Sequence, residues 1–453
     1  MPRVLLIRPL CEGDEPEFAE PLGIERLAGY LRAHGVRDVV VLDRRLYWQE
    51  HNAGLATGRF WDDARALCGN EGPAMVGVSL MTASDVPDGL RILSRARALW
   101  PQVRLVAGGL YVTTASQGAA ARFPHGVTLL RGEGEEALLA LAQGRSASGC
   151  VEIAPDAWAC AYRPHVDRYA RLGCAVNMQT SRGCPGTCTF CATPSLPHGL
   201  RRWRPRSVQL VVDEMEHEAA RLDSAGLLPI FNFVDDDFGP LARIEELSAE
   251  LERRRLRVAF ALEMRMTSLM GQDNLSQRLA RMHEAGLTRV FVGVESLNPQ
   301  TLRSWHKPYD TKALPRVLDA FASAGIAMQP GYILWHRDQT VAGARDEVAC
   351  LRDLGIYSHR AALSRLIVFE GCALAHEGET GFQPMHDAEE GFYQWFAEST
   401  TDLLATWTHA AIAEPYAAAE AFLTGDDTRL QELRETLSLV NERSFELFMR
   451  GDS

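Results

Sequence analysis

The sequence predicts an α/β protein with three parts: a doubly wound N-terminal domain, a partial (β/α)6 parallel barrel and a helical C-terminal region. Short apolar segments alternate with amphipathic segments in two separate blocks of the chain, which is typical of parallel sheets covered by helices. After the second block only helical periodicity remains. We predict the first domain at residues 1–142, a linker at 143–174, the barrel at 175–370 and the helical region at 371–453.

Composition excludes several classes of protein. The chain has 453 residues, 46% of them hydrophobic and 23% charged, which is ordinary for globular domains with sizeable cores. A formal net charge of −12 argues against nucleic-acid binding through a basic face. The chain has no long uncharged apolar run and begins on a strand without the shape of a signal peptide, so we expect no membrane span and a cytoplasmic location. Lysine occurs only at Lys307 and Lys312, which we attribute to coding bias.

The first block contains five apolar segments that predict five parallel strands. Helical patterns such as residues 23–34, 53–68 and 85–99 lie between them. Five such units in about 140 residues fit a flavodoxin-like, doubly wound domain. The predicted strands are Val4–Ile7, Val39–Leu42, Met75–Leu80, Val103–Ala107 and Val127–Leu130.

The second block follows a stretch rich in glycine, serine and proline, which predicts the linker. Six further strands alternate with helical segments and predict a partial or full parallel barrel. From Gly381 onward the pattern is helical. The six strands are predicted at Val176–Thr180, Pro229–Val234, Val258–Glu263, Val290–Val294, Ala327–Leu334 and Ala362–Val368.

Three of the ten cysteines lie in one glycine-containing loop after the first strand of the second block. Cys184, Cys188 and Cys191 have the spacing C-x3-C-x2-C, so three thiolates can hold three corners of an iron–sulfur cube and leave one iron without a protein ligand. A zinc site is an alternative, with Cys174 or His198 as the fourth ligand. Unliganded buried cysteines are a further alternative.

This loop resembles the signature of the radical S-adenosylmethionine (SAM) superfamily, C-x3-C-x-aromatic-C, with Phe190 at the aromatic position. The resemblance implies a 4Fe–4S cluster on the three cysteines and SAM bound near Phe190. It extends to the acidic run at Asp235–Asp237 and to Gly293-Val294-Glu295-Ser296, and it implies that Asp235 and Glu295 bind SAM. Read alone, the acidic run could be a solvated strand end and Glu295 an acid at a helix N-terminus. Both lie at predicted C-terminal strand ends, where barrel sites lie.

The N-terminal domain resembles that of the cobalamin-binding class of the same superfamily, which implies cobalamin as a third cofactor. The similar segments are Pro21-Leu22-Gly23-Ile24, Val76-Gly77-Val78-Ser79, Ala107-Gly108-Gly109 and Gly132-Glu133-Gly134-Glu135. Glycines at strand ends allow a ring to approach the backbone closely, although each could also form a plain turn. The residues that we expect at the cobalamin site are Ser79, Gly108, Gly109, Gly132 and Gly134.

One segment departs from the pattern of many cobalamin carriers. They present D-x-H-x-x-G after the second strand, whereas this chain has Asp43-Arg44-Arg45. Arginine does not normally lose its proton to ligate a metal, so we expect a cobalt face without a protein histidine. A domain that kept the fold and lost the cofactor would have the same sequence features.

The resemblance implies an enzyme that transfers a methyl group from methylcobalamin to a carbon, or less favourably a phosphorus, of a small natural-product intermediate or peptide. It implies an external electron donor and a deoxyadenosyl radical. Rearrangement, ring formation, dehydration and a non-catalytic sensor are the alternatives, and no catalytic residue can be assigned. Trp335 and His336 are candidate substrate contacts. The C-terminal aromatic residues could cap the barrel or form helix-packing core; they are Trp395, Phe396, Trp407 and Tyr416.

Overall fold

The computed structural model describes residues 3–11, 18–51, 53–115, 117–147, 152–369, 372–375 and 381–451. The chain divides into two compact units. The first unit comprises Met1–Asn177 with Ser195–Pro205, and the second comprises Met178–Pro194 with Arg206–Ser453.

The first unit contains a five-stranded parallel sheet in the order β2-β1-β3-β4-β5. This is the flavodoxin-like order that the sequence predicts, and it reverses between β1 and β3. The strands are β1 (Val4–Arg8), β2 (Val39–Asp43), β3 (Met75–Ser79), β4 (Arg104–Gly108) and β5 (Val127–Leu129). The helices are α1 (Leu22–Ala33), α2 (Arg44–Glu50), α3 (Ala53–Cys68), α4 (Val86–Leu99), α5 (Leu110–Thr114), α6 (Gln117–Ala120), α7 (Glu135–Ala142) and α8 (Val166–Arg171).

Alternate residues of the first sheet enter different hydrophobic clusters, because successive side chains of a strand point to opposite faces. Leu5 and Ile7 of β1 join one cluster with Phe60. Val4 and Leu6 join another with Leu31. Both faces of the sheet are therefore covered, which explains why its strands are apolar without polar alternation.

The segment predicted as the linker packs on α1 within the first unit. The Tyr162 backbone N–H donates to the Glu25 carbonyl (2.9 Å), and the Arg26 guanidinium donates to the Ala159 carbonyl (2.9 Å). A side chain on Gly29 would overlap the Cys160 carbonyl, so this close approach requires glycine. The segment thus extends the core of the first unit.

The second unit contains a parallel sheet in the order β12-β11-β10-β9-β6. The later strands are β6 (Val176–Met178), β7 (Ser181–Arg182), β8 (Arg204–Pro205), β9 (Ile230–Phe233), β10 (Ala259–Arg265), β11 (Leu287–Glu295), β12 (Ala327–Tyr332), β13 (Ile367–Val368) and β14 (Gly381–Phe382). The later helices are α9 (His198–Arg201), α10 (Val208–Ser224), α11 (Leu241–Arg254), α12 (Leu275–Glu284), α13 (Pro299–Ser304), α14 (Leu314–Ala324), α15 (Val341–Asp353), α16 (His359–Leu363), α17 (Asp387–Ser399), α18 (Thr401–Thr424) and α19 (Thr428–Arg450). Of these later elements, β8 and α9 belong to the first unit.

The sixth predicted barrel strand is shortened to a single bridge. Trp335 pairs in parallel with Arg365 through hydrogen bonds to Ser364 and Leu366. The beginning of the predicted strand instead belongs to α16, which the Ser358 hydroxyl caps by accepting from the Ala361 backbone N–H (3.1 Å). The end of it, β13, pairs antiparallel with β14. The barrel is therefore partial, as predicted, with five complete strands.

In the described part of the predicted helical region, the short strand β14 precedes the helices α17, α18 and α19, so the helical pattern begins after Phe382 and not at Gly381. Trp335 is fully buried among the rings of Phe392, Tyr393 and Phe448 from these helices. Helix α18 also lies against β9, β10 and β11 of the sheet. In the described parts of the chain, none of the helices is both long and apolar enough to cross a membrane.

Candidate functional site

The three cysteines of the signature lie half-buried in the loop that follows β7. Gly186 lies between two of the cysteine sulfurs. A Cβ at this position would be 3.3 Å from the Cys184 sulfur and 3.7 Å from the Cys188 sulfur. Burial raises the pKa of the Cys184 thiol to about 11 and also raises that of Cys188. Both sulfurs therefore carry protons in the free protein, and metal binding must displace them.

The acidic run after β9 holds this loop in place. The buried Asp235 carboxylate accepts from the Thr180 N–H (2.7 Å), the Thr180 hydroxyl (2.6 Å) and the Ser181 N–H (2.6 Å). Asp236 accepts from the Gly183 N–H (3.1 Å). Burial raises the pKa of Asp235 to about 6 against the effect of these hydrogen bonds. The structure thus places Asp235 against the start of the cysteine loop, where its oxygens are already occupied.

Glu295 lies at the end of β11 in the left-handed region, with φ at 65°. Its carboxylate forms an ion pair with the ammonium of Lys307, a residue that is only 9% exposed. A side chain on Gly293 would overlap both charged groups, so glycine makes room for the pair. The left-handed conformation costs a residue other than glycine roughly 1–2 kcal/mol, and such strain is often found at functional sites.

An aromatic series connects the cysteine loop to the end of β12. The ring of Phe190 meets that of Trp305 edge to face at 5.4 Å, and Trp305 meets His336 in the same way at 5.1 Å. The Trp305 carbonyl also accepts from the Thr189 N–H (3.0 Å). Burial lowers the pKa of His336, which favours the neutral ring. Of the predicted pair, His336 therefore lies beside this site, whereas Trp335 belongs to the C-terminal core.

Two basic residues to which the sequence analysis assigned no role, Lys307 and Arg265, lie beside the thiols. The Lys307 ammonium and the Arg265 guanidinium both act to lower the pKa of Cys188 against the larger effect of burial. The Nε of Arg265 is buried and has no hydrogen-bond partner among the described residues, and it is 3.6 Å from the Cβ position of Gly186. The rarity of lysine was the signal that could have identified Lys307. Two basic residues beside three thiols fit an anionic iron–sulfur cluster.

Of the two candidate fourth ligands of a zinc site, the structure describes the side chain of Cys174 only. Cys174 donates its S–H to the Phe18 carbonyl (3.5 Å) within the first unit. The side chain of His198 lies outside the described part of the structure. Within that part, no three His, Cys, Asp or Glu side chains are arranged to hold a single metal ion.

The predicted cobalamin residues lie at the C-terminal ends of the first sheet. Gly109 has φ at 104°, and a side chain there would overlap the Leu80 carbonyl, while Gly132 has φ at 80°. Gly108 and Gly134 differ, because a Cβ on either would make only ordinary contacts, 3.5 Å from the Leu130 oxygen and 3.4 Å from Leu27. Neither backbone strain nor packing requires glycine at these two positions. The space that they leave fits the close approach of a large ring, and half-buried Ser79 ends the adjoining strand.

Arg45, at the position of the missing histidine, lies across the ends of β1 and β3. Its guanidinium donates to Asp85 (2.8 Å), to the Pro9 carbonyl (3.2 Å) and to the Cys11 sulfur (2.8 Å). Asp43, which precedes it, is buried in an ion pair with Arg8. The aspartate that supports the histidine in many cobalamin carriers is therefore occupied here.

Comparison with known protein families gives two domain matches, and their order along the chain is the order predicted from the sequence. The radical SAM superfamily model matches residues 178–336, and the B12-binding domain model matches residues 16–142. The chain therefore carries a domain of the radical SAM superfamily together with a B12-binding domain. The radical SAM domain implies a 4Fe–4S cluster and SAM, and the B12-binding domain implies cobalamin.

Curated relatives include methyltransferases and a cyclase. The chain is 25% identical to the anaerobic magnesium-protoporphyrin IX monomethyl ester cyclase of Rubrivivax gelatinosus, over 78% of this chain and 66% of the relative. It is 26% identical to an uncharacterized methyltransferase of Pyrococcus horikoshii, over 62% of each protein. It is 31% identical to the bacteriochlorophyllide d C-12(1)-methyltransferase of Chlorobaculum tepidum, over 32% of this chain and 29% of the relative. The chain thus spans less than two thirds of the length of these relatives.

Two solved structures share the fold. The cobalamin-dependent SAM radical enzyme OxsB, with aqua-cobalamin bound, superposes with a TM-score of 0.76 and 16% identity, over 99% of this chain and 72% of OxsB. The radical SAM methyltransferase TsrM from Kitasatospora setae, with cobalamin and a 4Fe–4S cluster, gives a TM-score of 0.60 and 21% identity, over 79% of this chain and 74% of TsrM. The predicted fold class is confirmed.

Proposed function

We propose that this protein is a cobalamin-dependent radical SAM enzyme that methylates an unactivated carbon of a small natural-product intermediate. The observation that carries the proposal is the combination of two features in one chain. One unit has a loop of three thiols beside the basic residues Lys307 and Arg265. The other unit has glycines at the strand ends that neither backbone strain nor packing requires. We further propose that a low-potential donor outside the chain supplies electrons, and that the enzyme acts in the cytoplasm.

Each group of residues has a role in this proposal. Cys184, Cys188 and Cys191 hold the cluster, and Asp235 fixes the start of their loop through Thr180 and Ser181. Phe190 and Glu295 bind SAM, and Gly108 and Gly134 leave room for the corrin ring. When bound, the cluster supplies the electron that cleaves SAM, and cobalamin supplies the methyl group that is transferred.

Methyl transfer and ring formation are both candidate functions, because the relatives include methyltransferases and a cyclase. The methyltransferases among them favour methyl transfer. The cyclase favours a ring-forming reaction, which would begin with the same cleavage of SAM. Methyl transfer is our first choice because two of the three curated relatives described above are methyltransferases.

Products formed from methyl-labelled SAM distinguish these functions. The reconstituted protein is incubated with candidate substrates, methylcobalamin and a reductant, and products are identified by mass spectrometry. A radical methylase should place the label in the product and release deoxyadenosine. Deoxyadenosine with an unlabelled, rearranged or cyclised product would favour the alternative. Labelled product without deoxyadenosine would indicate a non-radical methyl transfer, and absence of SAM cleavage would indicate a sensor. Cys188→Ala is the negative control, since it removes a cluster ligand.

We also propose that cobalamin binds without a histidine from the protein on cobalt. Arg45 lies where the histidine is expected and is held by Asp85 and Pro9. Cob(II)alamin bound to the protein should give an electron paramagnetic resonance spectrum without nitrogen coupling. A clear histidine-type coupling would refute this ligation state, and failure to bind cobalamin would refute the cobalamin site itself.

A further inference from the structure

Lys307 is unusual in both composition and position. The chain has only two lysines, Lys307 and Lys312, although it has 47 lysines and arginines together. Lys307 is buried, whereas Lys312 is exposed. A buried ammonium is a compact point charge.

The surrounding backbone keeps this charge close to the cysteine loop. Glu295, the partner of Lys307, has φ at 65°, and His306, the residue before Lys307, has φ at 54°. One member of the ion pair and the residue before the other member therefore both adopt the left-handed conformation. The ammonium lies 6.0 Å from the centre of the Phe190 ring.

The ammonium faces the cysteine loop at Phe190, which lies between Cys188 and Cys191 in the sequence, and only 10% of the Lys307 side chain is exposed to solvent. Burial excludes the water that would otherwise screen the charge.

We propose that Lys307 is a positioning residue whose buried charge, fixed by Glu295, raises the reduction potential of the cluster bound by Cys184, Cys188 and Cys191. The inference rests on the proposed function, because it requires that these three thiols hold the cluster. The step that it favours adds one electron, from a low-potential one-electron donor, to the oxidised cluster. No bond forms or breaks and no proton moves. A nearby positive charge stabilises the more negative, reduced state.

The test is a redox titration of the full-length, anaerobically reconstituted protein without SAM, followed by electron paramagnetic resonance of the reduced cluster. Lys307→Met removes the charge and keeps the length of the side chain. We expect the equilibrium constant for one-electron reduction to fall about tenfold, which corresponds to ~59 mV. Lys307→Arg should keep the wild-type potential because it keeps the charge. Lys312→Met is the matched control and should also keep it.

Two results would overturn the inference. One is a Lys307→Met protein with wild-type iron content and an unchanged potential, whatever its affinity for SAM. The other is a Lys307→Arg protein whose potential falls as far as that of Lys307→Met, which would indicate packing and not charge. If Lys307→Met does not fold, Lys307→Gln makes the same comparison with a polar side chain. A wild-type protein that takes up no iron would contradict the proposed function, and this inference with it.

Discussion

Four glycines at the C-terminal edge of the first sheet differ in what their missing side chains would meet. Gly109 and Gly132 have a positive φ, so the backbone itself requires glycine there. Gly108 and Gly134 have room for a methyl group in the protein alone. The sequence shows four equivalent glycines, and only the structure separates those that build the turn from those that leave space beside it.

The glycines at positions 108 and 134 can be tested by alanine substitution. We expect Gly108→Ala and Gly134→Ala to fold with nearly wild-type stability but to bind cobalamin much more weakly, because the added methyl group meets the ring and not the protein. Gly109→Ala should lose about 2 kcal/mol or more of unfolding free energy, since it strains the backbone and overlaps Leu80. Thermal melting and a cobalamin absorbance titration measure the two effects. Wild-type cobalamin affinity in both Gly108→Ala and Gly134→Ala would contradict the assigned site.

His359 is fully buried, and neither of its ring nitrogens has a hydrogen-bond partner in the described residues. Burial lowers its pKa to about 4. Between the ordinary histidine pKa near 6.5 and this value, the unfolded chain binds a proton that the folded chain does not. We therefore expect this residue to reduce stability by up to about 1.4 kcal/mol per pH unit as the pH falls through that range.

Denaturant unfolding at pH 7 and pH 5 measures this effect. His359→Leu should lose less stability between the two pH values than the wild type does. His409→Leu, on the exposed side of α18, is the matched control and should behave like the wild type. Equal pH dependence in the wild type and His359→Leu would show that His359 finds a partner in solution.

At the scale of elements, the end of β9 and the cysteine loop form one hydrogen-bonded assembly. The acidic run that follows the strand accepts from the backbone of residues 180, 181 and 183. These hydrogen bonds explain why charged residues can follow a buried strand: Asp235 and Asp237 are buried, and Asp236 is exposed. The loop therefore takes its position from a neighbouring strand as well as from its own glycines.

The role of Asp235 can be separated from a charge interaction with SAM. In Asp235→Asn, the amide oxygen can still accept from the Thr180 and Ser181 N–H groups, and the Thr180 hydroxyl can turn to accept from the amide nitrogen. We therefore expect Asp235→Asn to keep its iron content and its affinity for SAM. Asp235→Ala should lose iron, because three buried donors are left unpaired at about 1–3 kcal/mol each. Asp235→Asn with normal iron but much weaker SAM binding would show a direct ionic role for Asp235.

At the scale of the whole molecule, the two sets of cofactor residues lie in separate compact units, each with its own parallel sheet. The three cysteines lie in the second unit, and Ser79 and the four glycines lie in the first. Each unit therefore contains the residues that we assign to one cofactor site.

We accordingly expect each cofactor to load without the other. Cys184→Ala should bind cobalamin with wild-type affinity while losing its iron. Gly134→Ala should keep its iron while losing cobalamin. Iron analysis and cobalamin absorbance on the same preparations measure both. Loss of cobalamin from Cys184→Ala, with an unchanged melting temperature, would show that the two sites depend on each other.

The sequence by itself determined both sheets, nearly all their strands, the cysteine loop and the family. Hydrophobic periodicity and motif spacing are local properties, so they can be read without knowing what packs against them. Prediction from the sequence failed where the structure of a segment depends on contacts with residues that are distant in the chain. The sixth strand depended on the cap of α16, and the separation of Trp335 from His336 depended on the C-terminal helices. Only the tertiary structure brought Lys307 to Glu295 and Arg265 to the thiols, because a side-chain contact is decided by the packing of whole elements and leaves no periodic trace in the chain.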